Sequence, residues 1–175
     1  MEPPTPRREI LALVERYPGL HVRELARQAD ASEALTLYHL EHLLAAELVA
    51  AVDDGNYRRF YPAKGGAPSD ADRTVMATLR RRVPLQIAVF LLEKTSASHQ
   101  DLTNQLGLAK STVSYHLSAL EREGFLRRDV KTDAFHLEDP RTVARLLTRW
   151  EPPRDAVSRF SELWERFYGR RKPRS

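Results

Sequence analysis

The sequence predicts a mainly α-helical chain with small β-hairpins, built from one structural unit used twice and followed by further helices. Three observations predict it. A block of residues recurs at a fixed offset. Each copy passes through three stretches of helical periodicity and then two short β-like runs. The 175 residues, 42% hydrophobic and 30% charged, suffice for two small cores.

The repeat comes first. Tyr38-His39-Leu40 returns as Tyr115-His116-Leu117, 77 residues later. At the same offset Ile10 meets Ile87, Val14 meets Leu91, Leu25 meets Leu102 and Gln28 meets Gln105. Leu43 meets Leu120, and Leu48-Val49 meets Phe125-Leu126. An ungapped register over so many apolar positions marks a duplication. Past the hairpins the offset shortens to 68, where Arg73-Thr74-Val75 resembles Arg141-Thr142-Val143. The second copy thus lacks residues that the first has around Gly65-Gly66-Ala67-Pro68-Ser69.

In the first copy Ile10, Leu13 and Val14 lie at helical spacing, stopped by Pro18-Gly19. Val22 to Ala29 is a short amphipathic helix. Asp30-Ala31-Ser32 is a turn whose Ser32 is placed to cap the next helix. That helix runs from about Glu33 to Glu47, with Leu37, Leu40, Leu43 and Leu44 apolar. Leu48 to Val52 and Tyr57 to Tyr61 are β-like runs around Asp53-Asp54-Gly55-Asn56, a hairpin signal. In the second copy the helices fall at Leu85 to Leu92, Asp101 to Leu106 and Ser111 to Glu123. Gly124 stops the last of these. Phe125 to Val130 and Ala134 to Leu137 form the hairpin.

Several function classes drop out. Without cysteine there is neither a disulfide framework nor thiolate chemistry. The longest apolar runs, such as Ile87–Leu92, fall far short of the roughly 20 residues of a membrane span. No basic, then apolar, leader opens the chain, so a soluble intracellular protein is expected. His39 and His42 flank Glu41, but no third ligand is evident, and no metal or cofactor is expected. His39 and His116 are repeat equivalents, which favours a shared structural role. No phosphate loop, nucleophile elbow or zincin motif is present, so no enzyme activity is expected.

Helix, helix, tight turn, helix, hairpin is the order in each copy. The run Gly107-Leu108-Ala109-Lys110-Ser111-Thr112-Val113-Ser114-Tyr115-His116-Leu117-Ser118-Ala119-Leu120-Glu121-Arg122-Glu123-Gly124-Phe125-Leu126 resembles the core of winged helix-turn-helix transcription regulators of the ArsR and MarR type. The first copy resembles it more loosely, through Val22-Arg23-Glu24-Leu25-Ala26 and Tyr38-His39-Leu40-Glu41-His42-Leu43, with Glu47 where the helix-ending glycine would stand. The pair is similar to prokaryotic, especially archaeal, regulators with two winged helices in tandem. The resemblance implies two tandem winged-helix domains plus C-terminal helices, double-stranded DNA as partner and the cytoplasmic nucleoid as location. The metal-binding cysteines of ArsR proteins are absent, so metal sensing of that kind is not implied. The domains expected are a first winged helix at 7–64, a linker and connecting helix at 65–83, a second winged helix at 84–138, C-terminal helices at 139–169 and a basic tail at 170–175.

Helical projection at about 100° per residue locates a reading face. With Val113, Leu117 and Leu120 buried, Ser111, Tyr115, Ser118 and Arg122 point outward, flanked by Thr112 and Ser114, with Lys110 at the entrance. Such short hydroxyls allow close approach to base edges and phosphates. The first copy presents Ala34, Tyr38, Glu41 and Ala45, and has no Lys or Arg from Glu33 to Glu47. It is expected to read DNA weakly or to pack on a partner. Arg58 and Arg59 of the first hairpin, and Arg127, Arg128 and Lys131 of the second, are candidate phosphate contacts. Beyond them Val157, Phe160, Leu163, Trp164 and Phe167 form an apolar stripe. It either completes the chain's own core or forms a homodimer seam; a membrane-surface helix is a further reading. Two other functions stay open: a nucleoid-associated architectural protein of low sequence specificity, and a protein-interaction module of chromosome or transcription machinery.

Overall fold

The computed structural model describes residues 6–63, 68–152, 157 and 161–169. The chain divides into two compact units, one reaching Arg73 and the other starting at Thr74.

In the first unit α1 (Pro6–Arg16) carries Ile10 and Val14 into the core. Gly19, at φ 87°, turns the chain after it. A capping box opens α2 (Val22–Gln28): the His21 ring accepts from the Glu24 backbone, and the Glu24 carboxylate accepts from the backbone N–H of His21. Ser32 caps α3 (Glu33–Ala45), its hydroxyl accepting from Leu35 N–H at 3.2 Å. Strands β1 (Val49–Asp53) and β2 (Arg58–Pro62) pair antiparallel, with Val49 opposite Pro62 and Asp53 opposite Arg58. A bridge between His21 and Arg59 ties the entry of α2 to the hairpin. Ile10, Val14, Leu20, Leu25, Leu40, Leu43, Val49 and Phe60 make one core.

The second unit repeats this order. Helices α5 (Arg82–Lys94), α6 (His99–Leu106) and α7 (Lys110–Arg122) precede β3 (Leu126–Arg128) and β4 (Phe135–Leu137). Moved by the repeat offset of 77, the bounds of α3 become those of α7. Ser98 and Asp101 form the capping box of α6, and Gly107, left-handed at φ 62°, ends it. Leu85, Ile87, Leu91, Leu102, Leu117 and Leu120 are fully buried. A helix follows each hairpin: α4 (Asp70–Leu79) and α8 (Pro140–Arg149). Among the described residues α9 (Ser161–Gly169) comes last and packs on α5, with Arg166 facing Glu93.

One local expectation changes. Leu37 does not join the core: it is 38% exposed, while Thr36 is fully buried. The repeat explains the phase, because Thr36 stands where Val113 stands in α7. Pro84 belongs to the start of a new helix and does not kink a continuous one. The chain breaks at Arg80-Arg81, and α5 begins at Arg82, so Pro84 lies within the first turn, where its missing N–H costs no helical bond. Among the described residues no helix is long and apolar enough to cross a membrane.

Candidate nucleic-acid interface

The second unit presents the expected face. Val113, Leu117 and Leu120 are buried, and Lys110, Ser111, Thr112, Ser114, Tyr115, Ser118 and Arg122 are all exposed. Tyr115 is the most prominent, 67% exposed. Arg122 bends back, its Nε donating to the carbonyl of Ser118 at 3.3 Å. The entrance of α7 is open: Ala109 occupies the cap position with no side-chain bond, and no acid stands in the first turn. Its free N–H groups and Lys110 favour an anion.

In the second hairpin Arg127 lies directly opposite His136. Arg127 and Lys131 are exposed, whereas Arg128 pairs with Asp133 and lies over the Phe135 ring. Asp129 shapes the turn. It accepts from the backbone N–H groups of Lys131 and Thr132, and these bonds hold its carboxyl below its ordinary range.

The same positions in the first unit carry other chemistry. Glu33 stands where Lys110 stands, and Ala34, Leu35, Leu37, Tyr38, Glu41 and Ala45 where Ser111, Thr112, Ser114, Tyr115, Ser118 and Arg122 stand. Leu35 is 45% exposed and Tyr38 52%. Tyr38 packs edge-on against His42. Nearby cations are held by acids. Arg23 donates to Glu33 at 3.1 Å. Arg59 is turned inward: it pairs with Asp54, and its Nη1 donates to the carbonyl of Gly19 at 2.9 Å. That guanidinium holds the Asp54 carboxyl below its ordinary range. Arg58 is exposed.

Three features of the second unit escaped the sequence reading: the bare cap at Ala109, and the contacts of His99 with Ser114 and with Thr103. The capping pair Ser98 and Asp101 does place His99 at the start of α6, but what its ring meets depends on how α6 packs on α7. Of the apolar stripe, Leu163 is buried within its own unit and Val157 and Trp164 are half-buried. Phe160 and the side chain of Phe167 lie outside the described residues. Among the described residues no three His, Asp or Glu side chains are placed to hold a metal ion.

A two-helix corner whose second helix is exposed along one side, backed by a β-hairpin, is a winged helix-turn-helix, and the chain carries two of them. Residues 4–76 match a family described as an N-terminal HTH domain, and residues 85–128 match bacterial regulatory proteins of the arsR family. An uncharacterized HTH-type transcriptional regulator of Methanocaldococcus jannaschii is 30% identical over 122 residues, 69% of this chain. The chain spans only 30% of that relative's length. Among solved structures, the mRNA-binding domain of elongation factor SelB from E. coli, in complex with SECIS RNA, is 21% identical at a TM-score of 0.27, covering 75% of this chain and 96% of that one. The DIP2311 protein of Corynebacterium diphtheriae is 18% identical at a TM-score of 0.29, covering 75% of this chain and 26% of that one. At such TM-scores the likeness carries no weight for function.

Proposed function

We propose that this chain is a DNA-binding regulator of transcription whose second winged helix does most of the base reading. The observation that carries it is the contrast between two helices with the same bounds in the repeat. Both present a tyrosine, but α7 adds hydroxyls and two cations where α3 adds leucines and acids. Carboxylates facing phosphates weaken binding, and short polar side chains at a helix start reach base edges. The name of the archaeal relative and the arsR match of residues 85–128 support the same reading. A protein acting so works where the chromosome is.

The test is a gel shift on genomic fragments at fixed salt. Replacing both Ser114→Glu and Tyr115→Glu should abolish specific binding, while Tyr38→Glu should leave sequence preference unchanged. Binding that survives the α7 double change overturns the assignment of the reading helix. A specific-to-nonspecific affinity ratio near unity in the unaltered protein would favour an architectural role instead. For the first unit, the exposed Leu35, Leu37 and Tyr38 favour a protein partner over DNA.

A further inference from the structure

α6 and α7 are joined by a polar relay. His99 Nε2 lies 2.8 Å from the hydroxyl of Ser114. On the other side of the ring, the Thr103 hydroxyl lies 3.3 Å from Nδ1 and 2.8 Å from the carbonyl oxygen of His99. A hydroxyl has one proton to give. The shorter bond to the carbonyl takes it, so towards Nδ1 the Thr103 oxygen can only accept. In the neutral ring Nδ1 therefore carries the proton and Nε2 is bare. Ser114 must then donate its own proton to Nε2, and it turns lone pairs outward.

We propose that His99 is a positioning residue for sequence recognition: it fixes the exposed Ser114 hydroxyl as a hydrogen-bond acceptor. The inference rests on α7 being the reading helix. An acceptor cannot bond to a phosphate oxygen, which is itself an acceptor, so the position is committed to base reading. In the major groove the complementary groups are the amino groups of adenine and cytosine.

The duplication shows that the relay is no requirement of the fold. His99, Thr103 and Ser114 correspond to Val22, Ala26 and Leu37 in the first unit, where the same helix pair forms without them. The polar trio stands only where the outer face is also polar and cationic. The ring is well anchored for this role. Ser98 and Asp101 cap α6 reciprocally, with Asp101 N–H donating to the Ser98 hydroxyl at 3.1 Å, and this fixes His99 as the first residue of the helix.

The experiment is selection of duplexes from a random library at one salt concentration. It uses the full chain and its His99→Ala, His99→Gln and Ser114→Ala variants, with the His99→Ala/Ser114→Ala double variant. Ser114 is exposed and His99 half-buried, and thermal unfolding verifies that each variant folds. The unaltered protein should prefer adenine or cytosine at one position by about fivefold, the scale of one hydrogen bond. His99→Ala and Ser114→Ala should each flatten that position, and the double variant should do nothing more. His99→Gln should keep the preference, because its amide oxygen reaches the place of Nε2 and accepts. Three outcomes overturn the proposal: His99→Ala keeping the preference, His99→Ala weakening all sequences equally, or the double variant losing more than either single one. No enrichment by the unaltered protein overturns the DNA reading itself, and the role of His99 with it.

Discussion

At the scale of single residues, the duplication acts as an internal control. Thr36 and Val113 fill the same buried place, yet the Thr36 hydroxyl has no hydrogen-bond partner among the described residues. A buried, unpartnered polar atom costs about 1 kcal/mol or more. Thr36→Val keeps the shape and removes the cost. Urea unfolding should show a gain of about 1 kcal/mol, and a loss would mean that the hydroxyl is satisfied in solution. His116 offers a pH counterpart. Burial, and then the Arg81 guanidinium, push its pKa below the ordinary 6.5. Arg81 is itself held by Glu123, its Nη1 donating at 3.1 Å. The folded chain therefore resists a proton that the unfolded chain accepts below 6.5. The sign follows: stability falls as pH drops through that value, until the folded ring also titrates. The melting temperature should decline from pH 7 to pH 5, and less steeply in His116→Gln. An equal decline in both would locate the proton uptake elsewhere.

At the scale of elements, the ends of the two long helices show what was legible in the sequence and what was not. Gly124 was readable as the stop of α7, and it adopts φ 68°. Its equivalent Glu47 adopts φ 54°, a conformation that side chains resist. The turn geometry is thus inherited even where the residue that suits it is gone. Glu47→Gly should stabilise the first unit by about 1 kcal/mol, and Gly124→Ala should destabilise the second by a similar amount. A Cβ on Gly124 meets nothing within 4 Å, so the cost there is conformational and not a clash. Opposite signs in thermal melts check the pair together; equal signs would break the equivalence. Periodicity, caps and the repeat made the element order and the outward face of α7 legible. Which of Thr36 and Leu37 is buried was not, because hydropathy favours the leucine and only packing against the rest of the unit selects the threonine. Nor was the state of the hairpin cations. Arg58 and Arg59 read alike in the sequence, but alternation along β2 sends Arg59 inward to Gly19 and Asp54 and leaves Arg58 exposed.

At the scale of the whole molecule, net charge and reading surface come apart. The chain carries a formal charge of +4, but residues 7–64 hold eight Lys and Arg against nine Asp and Glu. Residues 85–138 hold six against seven. The excess lies elsewhere: ten against five in residues 139–175, and four against two in residues 65–84. On the proposed reading, specific contact by the second unit rests on local placement, on Lys110 at an uncapped helix start and the exposed Arg122 and Arg127. The same reading assigns long-range attraction to phosphate to the C-terminal region, where Arg141, Arg145 and Arg149 stand along exposed positions of α8. Contacts of the two kinds respond differently to salt. Phosphate contacts set the slope of log affinity against log salt, at about 0.9 per neutralised phosphate, and treat all sequences alike. Removing residues 170–175, which carry four Lys and Arg, should lower affinity and make that slope shallower, with base preference unchanged. Lys110→Ala should lower affinity too, but chiefly for the selected duplexes, because its position is fixed relative to Ser111 and Ser114. Titrations of one specific and one scrambled duplex at several salt concentrations separate the two effects. A changed base preference on losing the tail would show that the C-terminal residues take part in reading.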